Sequence, residues 1–150
     1  MLNVALAKGR LADSCADIFM KCGIQAQILK EETRKLVLET PDGKFKFFFV
    51  KPSDVPTYVE YGIADIGIVG KDTLLEAGAE LYEMLDLKFE KCKLCIAGFP
   101  EKKDMLTAPH LRVATKYVNT AKKLFFSRGE DVEIIKLNGS IELAPLTGLS

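Results

Sequence analysis

The sequence has no surplus of either charge: Lys and Arg together number 21, and so do Asp and Glu, in 150 residues. A balanced chain has no global field to hold nucleic acid or an anionic membrane, so any anion site must be local. Histidine is nearly absent, with His110 alone. Cys92 and Cys95 form a C-x-x-C, but no second such pair or His pair completes a zinc tetrad. No apolar run approaches the ~20 residues of a membrane span. The N-terminal stretch MLNVALAKGRL lacks the basic region and apolar segment of a secretory signal. Walker A and G-x-G-x-x-G patterns are missing, as are repeats, low-complexity tracts and flexible linkers. These gaps exclude a membrane protein and a nucleic-acid binder, and they make the cytoplasm the expected compartment.

What remains is ordinary globular composition, 48% hydrophobic and 28% charged. That supplies core for one domain or for two small lobes. Leu2 to Ala7 reads as a short apolar strand, followed by the turn Lys8-Gly9-Arg10. Leu11, Cys15, Ile18, Phe19 and Cys22 then recur at helical spacing on one face, closed by Gly23. Cys15 and Cys22 are thus expected side by side as small core residues. Leu36–Leu38 and Phe45–Val50 flank Pro41-Asp42-Gly43, which predicts a hairpin.

Ser53 is placed to cap a helix carrying Pro56 in its first turn and ending at Gly62. Ala64–Val69 reads as a buried strand, and Gly70-Lys71-Asp72 leads into a helix over 73–77. Leu81–Leu87 and Lys91–Phe99 read as extended strands, with Cys92 and Cys95 as structural thiols. From Arg112 the rhythm resumes: a strand to Thr115, a helix capped by Asn119 and ended by Gly129, a strand over 132–137, and a helix opened by Gly139-Ser140. Strands alternating with helices predict largely parallel sheets covered by helices, hence an α/β protein of two lobes.

In open α/β sheets ligands sit at the carboxyl ends of strands, beside helix N-termini. The loops found there are Lys8-Gly9-Arg10, Lys51-Pro52-Ser53-Asp54, Gly70-Lys71-Asp72, Thr115-Lys116 and Asn138-Gly139-Ser140. Cationic and small residues dominate them, a composition suited to phosphate oxygens. Phosphorylated small molecules are therefore the expected ligands.

Several stretches occur together in a telling order: Ala7-Lys8-Gly9-Arg10-Leu11, Asp54 to Gly62, Ala64 to Asp72, Arg112 to Tyr117, and Gly139 to Gly148. In combination they resemble the short-form ATP phosphoribosyltransferases over essentially the whole chain. The resemblance implies transfer of a phosphoribosyl group from phosphoribosyl pyrophosphate to N1 of ATP, opening histidine biosynthesis, in the presence of Mg2+. It implies a two-lobed fold similar to the type II periplasmic binding proteins, with the active site in the inter-lobe cleft. The first lobe is expected at 1–88 and the second at 89–150. A histidyl-tRNA synthetase-like regulatory subunit, in a hetero-octamer, is the implied partner.

Matched residue by residue, Arg10 and Arg34 are the implied catalytic cations on the substrate phosphates. Lys8, Gly9, Lys51, Asp65, Asp72, Thr115 and Glu142 are the implied substrate-binding residues. Glu142 matches an acidic position near the ribose hydroxyls and Mg2+, with the metal carried mainly by substrate. Each has a plainer reading as well: Asp72 with Glu76 suits a helix cap, and the cations suit a solvated turn. Relatives continue past the equivalent of Ser150 into a phosphate-binding Thr-Gly turn. The expectation is therefore a shortened catalytic subunit that binds the donor weakly and turns over poorly or not at all. The rival expectation is a non-catalytic ligand-binding module of the same fold.

Overall fold

The apolar run after Met1 forms β1 (Leu2–Leu6), the strand around which the first half of the protein is organised. The computed structural model describes residues 1–101 and 110–150, and in it the chain divides into two units, Met1–Cys92 and Lys93–Ser150. Within the first unit Val4, Ala5 and Leu6 are all fully buried, so β1 is covered on both faces. It pairs in parallel with β3 (Phe45–Phe49) on one side and with β4 (Ile66–Ile68) on the other. Strand β2 (Val37–Glu39) adds antiparallel to the far edge of β3, giving the order β2-β3-β1-β4.

Helix α1 (Arg10–Lys21) covers one face of this sheet because its apolar residues return every third or fourth position. Ala12, Cys15 and Ala16 are buried there with Val4, Leu6, Phe47 and Phe49. The Phe19 ring lies 5.5 Å from that of Phe47 and 6.1 Å from that of Phe45, within the range of favourable aromatic pairs. Full burial of side chains such as Phe47, Leu6 and Val4 contributes about 1.5–3 kcal/mol each before entropy is charged. The helix ends as expected at Gly23, whose φ of 79° suits a residue without a Cβ.

The opposite face is built on small residues. Ala5 and Gly67 stand side by side in register, and α2 (Val55–Glu60) packs over them. A Cβ at Gly67 would come within 2.8 Å of both Val55 Cγ1 and Val59 Cγ2. Val55 joins Ala5 and Ala64 in a second, smaller core. The expected hairpin is present, tightened by the hydroxyl of buried Thr40, which donates to Asp42 Oδ1 at 2.5 Å and accepts from the Phe45 N–H at 3.1 Å. The Thr40 hydrogen bond, aided by the Lys44 amide, holds the Asp42 carboxyl below its ordinary range. After β4 the chain forms α3 (Lys71–Ala77), ended by Gly78 at φ 62°.

In the second unit β5 (Leu111–Thr115) and β6 (Val132–Lys136) pair in parallel, connected by α4 (Val118–Ser127). Phe125 of α4 is buried, and so is Ala144 in the short α5 (Leu143–Leu146). Arg112 donates from Nη2 to the Gly148 carbonyl at 2.8 Å, tying the chain after α5 back to β5.

Several expectations are corrected. Residues 81–87 and 91–99 form no strands: an apolar, β-prone run becomes a strand only where a partner completes its ladder, and none does so among the described residues. Tyr82, Met84 and Leu85 are exposed in consequence. Cys92 and Cys95 are exposed rather than packed, and Cys22 is exposed as the residue that ends α1. Strand β4 is a half-exposed edge of three residues, not a buried strand over 64–69, since only β1 pairs with it among the described residues. Ser53 does not cap α2: residues 52–54 make a 3-10 turn leading into it, and the Ser53 hydroxyl donates to Asp54. Asn119 lies inside the first turn of α4, which starts at Val118. The last helix likewise starts later than expected, at Leu143.

Three outcomes follow from this packing. Gly67→Ala should lower unfolding stability by about 1–3 kcal/mol through overpacking against α2. A lowered midpoint in urea checks it, and an unchanged one would show that α2 moves aside freely. Burial pushes the Cys15 thiol from 9.0 up to about 12. The unfolded chain therefore loses that proton first, so stability conferred at lower pH should decline as pH rises from 9.0 toward about 12. At pH 8 a thiol reagent should label Cys22, Cys92 and Cys95 in the folded protein and Cys15 only after unfolding.

Candidate functional site

The register of the first sheet decides which loops are neighbours. Leu6 is level with Phe49 on one side and with Ile68 on the other. The three parallel strands therefore end together, and the segments that follow them carry Lys8-Gly9-Arg10, Lys51 and Gly70-Lys71-Asp72. Because β2 runs antiparallel, the segment before it reaches the same end, where the Leu36 carbonyl accepts the Phe49 N–H at 2.8 Å. Thr33 and Arg34 lie just upstream. Four of the nominated cations, Lys8, Arg10, Arg34 and Lys51, are thus gathered at one end of one sheet. All four are exposed.

Lys8 is held by two contacts. Its Nζ donates to the Thr33 carbonyl at 2.7 Å and lies 5.2 Å from the centroid of the Phe49 ring. Both place a cation against a partially negative surface without neutralising it. They also tie the loop after β1 to the segment bearing Arg34. Gly9 adopts φ 95° and ψ −153° as the residue before α1, a conformation that L residues with a Cβ rarely accept. Nothing stands within 4 Å of a Cβ built there, so the backbone angle rather than space calls for glycine. Its carbonyl accepts the Asp13 N–H at 3.2 Å, and no side chain of that residue caps the first turn. Those amide dipoles add to the positive potential of Lys8 and Arg10.

Asp72 lies in the first turn of α3, half-buried, with its Oδ1 folded back over Gly70 so closely that a Cβ on Gly70 would overlap it. Lys71, paired with Glu83, shares this end of the sheet. The sequence reading does not single Lys71 out, although its place directly after Gly70 was the available signal. Glu90, whose Oε2 is 3.8 Å from Arg10 Nη2, is a second residue that sequence reasoning passes over. Nothing in the local pattern relates positions so far apart.

Asp65 is set apart from this group. It precedes β4, at the opposite end of the sheet. There its Oδ2 accepts the Asn3 N–H at 2.7 Å while its own N–H donates to the Asn3 carbonyl at 2.9 Å. That reciprocal pair fastens the start of β1 to the start of β4.

In the second unit Thr115 ends β5. Its hydroxyl accepts the Tyr117 N–H at 3.0 Å, and its carbonyl accepts the Leu137 N–H at 3.0 Å. The loop after β6 contains Ser140 at φ 49° and then Glu142, exposed before α5. Thr115 and Glu142 therefore lie beyond the same end of this two-stranded sheet. A shallow open depression between α4 and β6, lined by Lys122, Phe125, Phe126 and Val132, holds none of the nominated residues. Among the described residues, no three His, Cys, Asp or Glu side chains gather to hold a metal, and no helix is long and apolar enough to cross a membrane.

Residues 51–150 match the family model described as ATP phosphoribosyltransferase. A curated ATP phosphoribosyltransferase of Ruminiclostridium cellulolyticum is 57% identical over 151 residues, covering 99% of this chain and 71% of that one. This chain belongs to the ATP phosphoribosyltransferase family. A second relative, from Bacillus licheniformis, is 51% identical over 99% of this chain and 69% of its own length. Among solved structures, the ATP phosphoribosyl transferase (HisG:HisZ) complex from Thermotoga maritima matches with a TM-score of 0.71 at 32% identity, over 100% of this chain and 71% of that chain.

The separation of Asp65 from the cations has a measurable consequence. Asp65→Ala should lower stability by about 1 kcal/mol, the worth of one backbone-linked hydrogen bond, while leaving affinity for inorganic pyrophosphate unchanged. Denaturant titration and calorimetry check the two parts. Weakened pyrophosphate binding with an intact fold would return Asp65 to the site.

Proposed function

We propose that the protein transfers the 5-phosphoribosyl group of phosphoribosyl pyrophosphate to N1 of the ATP adenine, yielding N1-(5-phosphoribosyl)-ATP and pyrophosphate, the opening step of histidine biosynthesis. Family membership supplies the reaction. The observation that carries the site is the convergence of Lys8, Arg10, Arg34 and Lys51 at one end of one sheet, on strands held in level register.

The chemistry asks for cations more than for a nucleophile. Both reactants are polyanions, and their mutual repulsion is severe wherever water is excluded. The bond from ribose C1 to the pyrophosphate oxygen breaks as the bond to adenine N1 forms, using the N1 lone pair. Negative charge then gathers on the departing pyrophosphate. Arg10 and Arg34 are assigned to that charge, with Lys8 and the backbone at Gly9 holding phosphate oxygens. Lys51 is assigned to the nucleotide, where it offers charge but not the bidentate fork of an arginine. Asp72 and Thr115 are assigned to substrate contacts, and Glu142 to the ribose hydroxyls.

The exposed carboxylate of Glu142 fits a Mg2+ carried mainly by substrate phosphates, since that ion typically takes one or two protein carboxylates and keeps the rest of its shell. When bound, Mg2+ would offset charge on the leaving oxygens. The same reading takes the fold as the type II periplasmic-binding-protein kind, with lobes at 1–88 and 89–150 and substrates in the cleft between them. It places the protein in the cytoplasm with a histidyl-tRNA synthetase-like regulatory subunit. The likeness to a solved HisG:HisZ complex supports that partner.

Thermal unfolding tests the assignment. Phosphoribosyl pyrophosphate with Mg2+, and ATP separately, should each raise the Tm in a concentration-dependent way. Arg10→Ala should lose most of the donor's effect without lowering the ligand-free Tm. In a chain extended past Ser150 to the length of its relatives, the same change should cost about 10²–10³-fold in the rate of ATP-dependent pyrophosphate release. Indifference of the Tm to both substrates, or release that ignores ATP, would overturn the reading.

A further inference from the structure

We infer that residues 79–90 form an acidic strap that lies on the anion-binding loops of the first unit and holds their cations until a phosphorylated ligand displaces it. The inference rests on the reading of those loops as an anion site. Two contacts carry it. Glu83 pairs with Lys71, which follows β4, and Glu90 pairs with Arg10, which follows β1. A single stretch of chain thus sets carboxylates against cations that leave two strands of one sheet.

The strap contains no helix or strand. It is moored by Phe89, which packs against the core beneath α1, while Tyr82 and Met84 stand exposed farther along it. On either side of Phe89 the backbone is left-handed, with φ 60° at Lys88 and 49° at Glu90. Residues with a Cβ disfavour this region, and it persists only where surrounding contacts hold it. Here they are the partly buried Phe89 ring, the Arg10–Glu90 pair, and Asp86 Oδ1 accepting the Lys88 N–H at 2.9 Å. The turn lets Phe89 join the core while its neighbour reaches Arg10.

The carboxylates stand where phosphate oxygens would otherwise be bound. They also offset repulsion among the like-charged side chains gathered there. Both pairs are substantially exposed, so each is weak and yields to a multiply charged anion. The strap would therefore weaken anion affinity without blocking it.

Calorimetric titration of the chain with inorganic pyrophosphate at low ionic strength tests this. Glu83→Gln and Glu90→Gln keep side-chain size and remove charge. Each should tighten binding by about two- to fivefold, as expected for loss of an exposed competing ion pair, and the gain should shrink as salt is added. The Glu90→Gln gain should disappear in an Arg10→Ala background, because the competition it relieves runs through that guanidinium. Unaltered or weakened binding in both variants, with far-ultraviolet dichroism unchanged, would sink the strap while leaving the anion site standing. Absence of pyrophosphate binding in the parent and in every variant would overturn the anion site, and the strap with it.

Discussion

The parallel pairing of β1 with both β3 and β4 is the constraint on which the rest depends. A parallel ladder makes neighbouring strands run the same way, and the register sets how far each extends. With Leu6 level with both Phe49 and Ile68, three chain segments leave the sheet at one height. Val4, Ala5 and Leu6 cannot slip by a residue without exchanging the face packed by α1 for the face packed by α2. Burial on both sides thus holds the strand ends, and the strand ends hold the cations. Gly67 serves the same arrangement by letting α2 lie close over Ala5.

Bringing several cations to one place in a chain with no net charge raises a local electrostatic cost. The structure offsets it with weak, replaceable partners rather than with buried ion pairs. Lys8 uses a carbonyl and an aromatic face, Arg10 and Lys71 use carboxylates at the surface, and Gly9 leaves the first amides of α1 without a cap of its own. A site whose counter-charges are exposed stays receptive to a polyanionic ligand. Deeply paired cations would be more rigid and less available.

Most of the fold was legible from local pattern. The α1 stripe, the Pro41-Asp42-Gly43 hairpin and the strand–helix alternation after Arg112 each arise from interactions within a dozen residues, and the structure contains all of them. The strands expected over 81–87 and 91–99 failed because hydrophobic, β-prone composition reports a tendency to pair, while pairing needs a partner in place. Cys22 failed for a smaller reason. It continues the apolar stripe by spacing, but the helix stops there and its side chain is left in solvent. Asp65 shows the limit for sites. A motif said that an acidic residue belonged beside the glycines, but not that it stood at the far end of the strand, bonded to Asn3.

The sequence by itself determined the family and the succession of helices and strands outside residues 81–99. Both are written in residues that are neighbours along the chain, where spacing and turn chemistry act directly. It also nominated Lys8, Arg10, Arg34 and Lys51, as cations beside glycines or strand ends. Only the tertiary structure decided that those four share one end of a sheet, that Asp65 does not, and that Glu83 and Glu90 return to meet Lys71 and Arg10. Contacts between residues 12 to 80 positions apart depend on strand order, register and the course of an irregular segment. Those are settled by which surfaces can be buried together, a property of the packed chain that no local window contains.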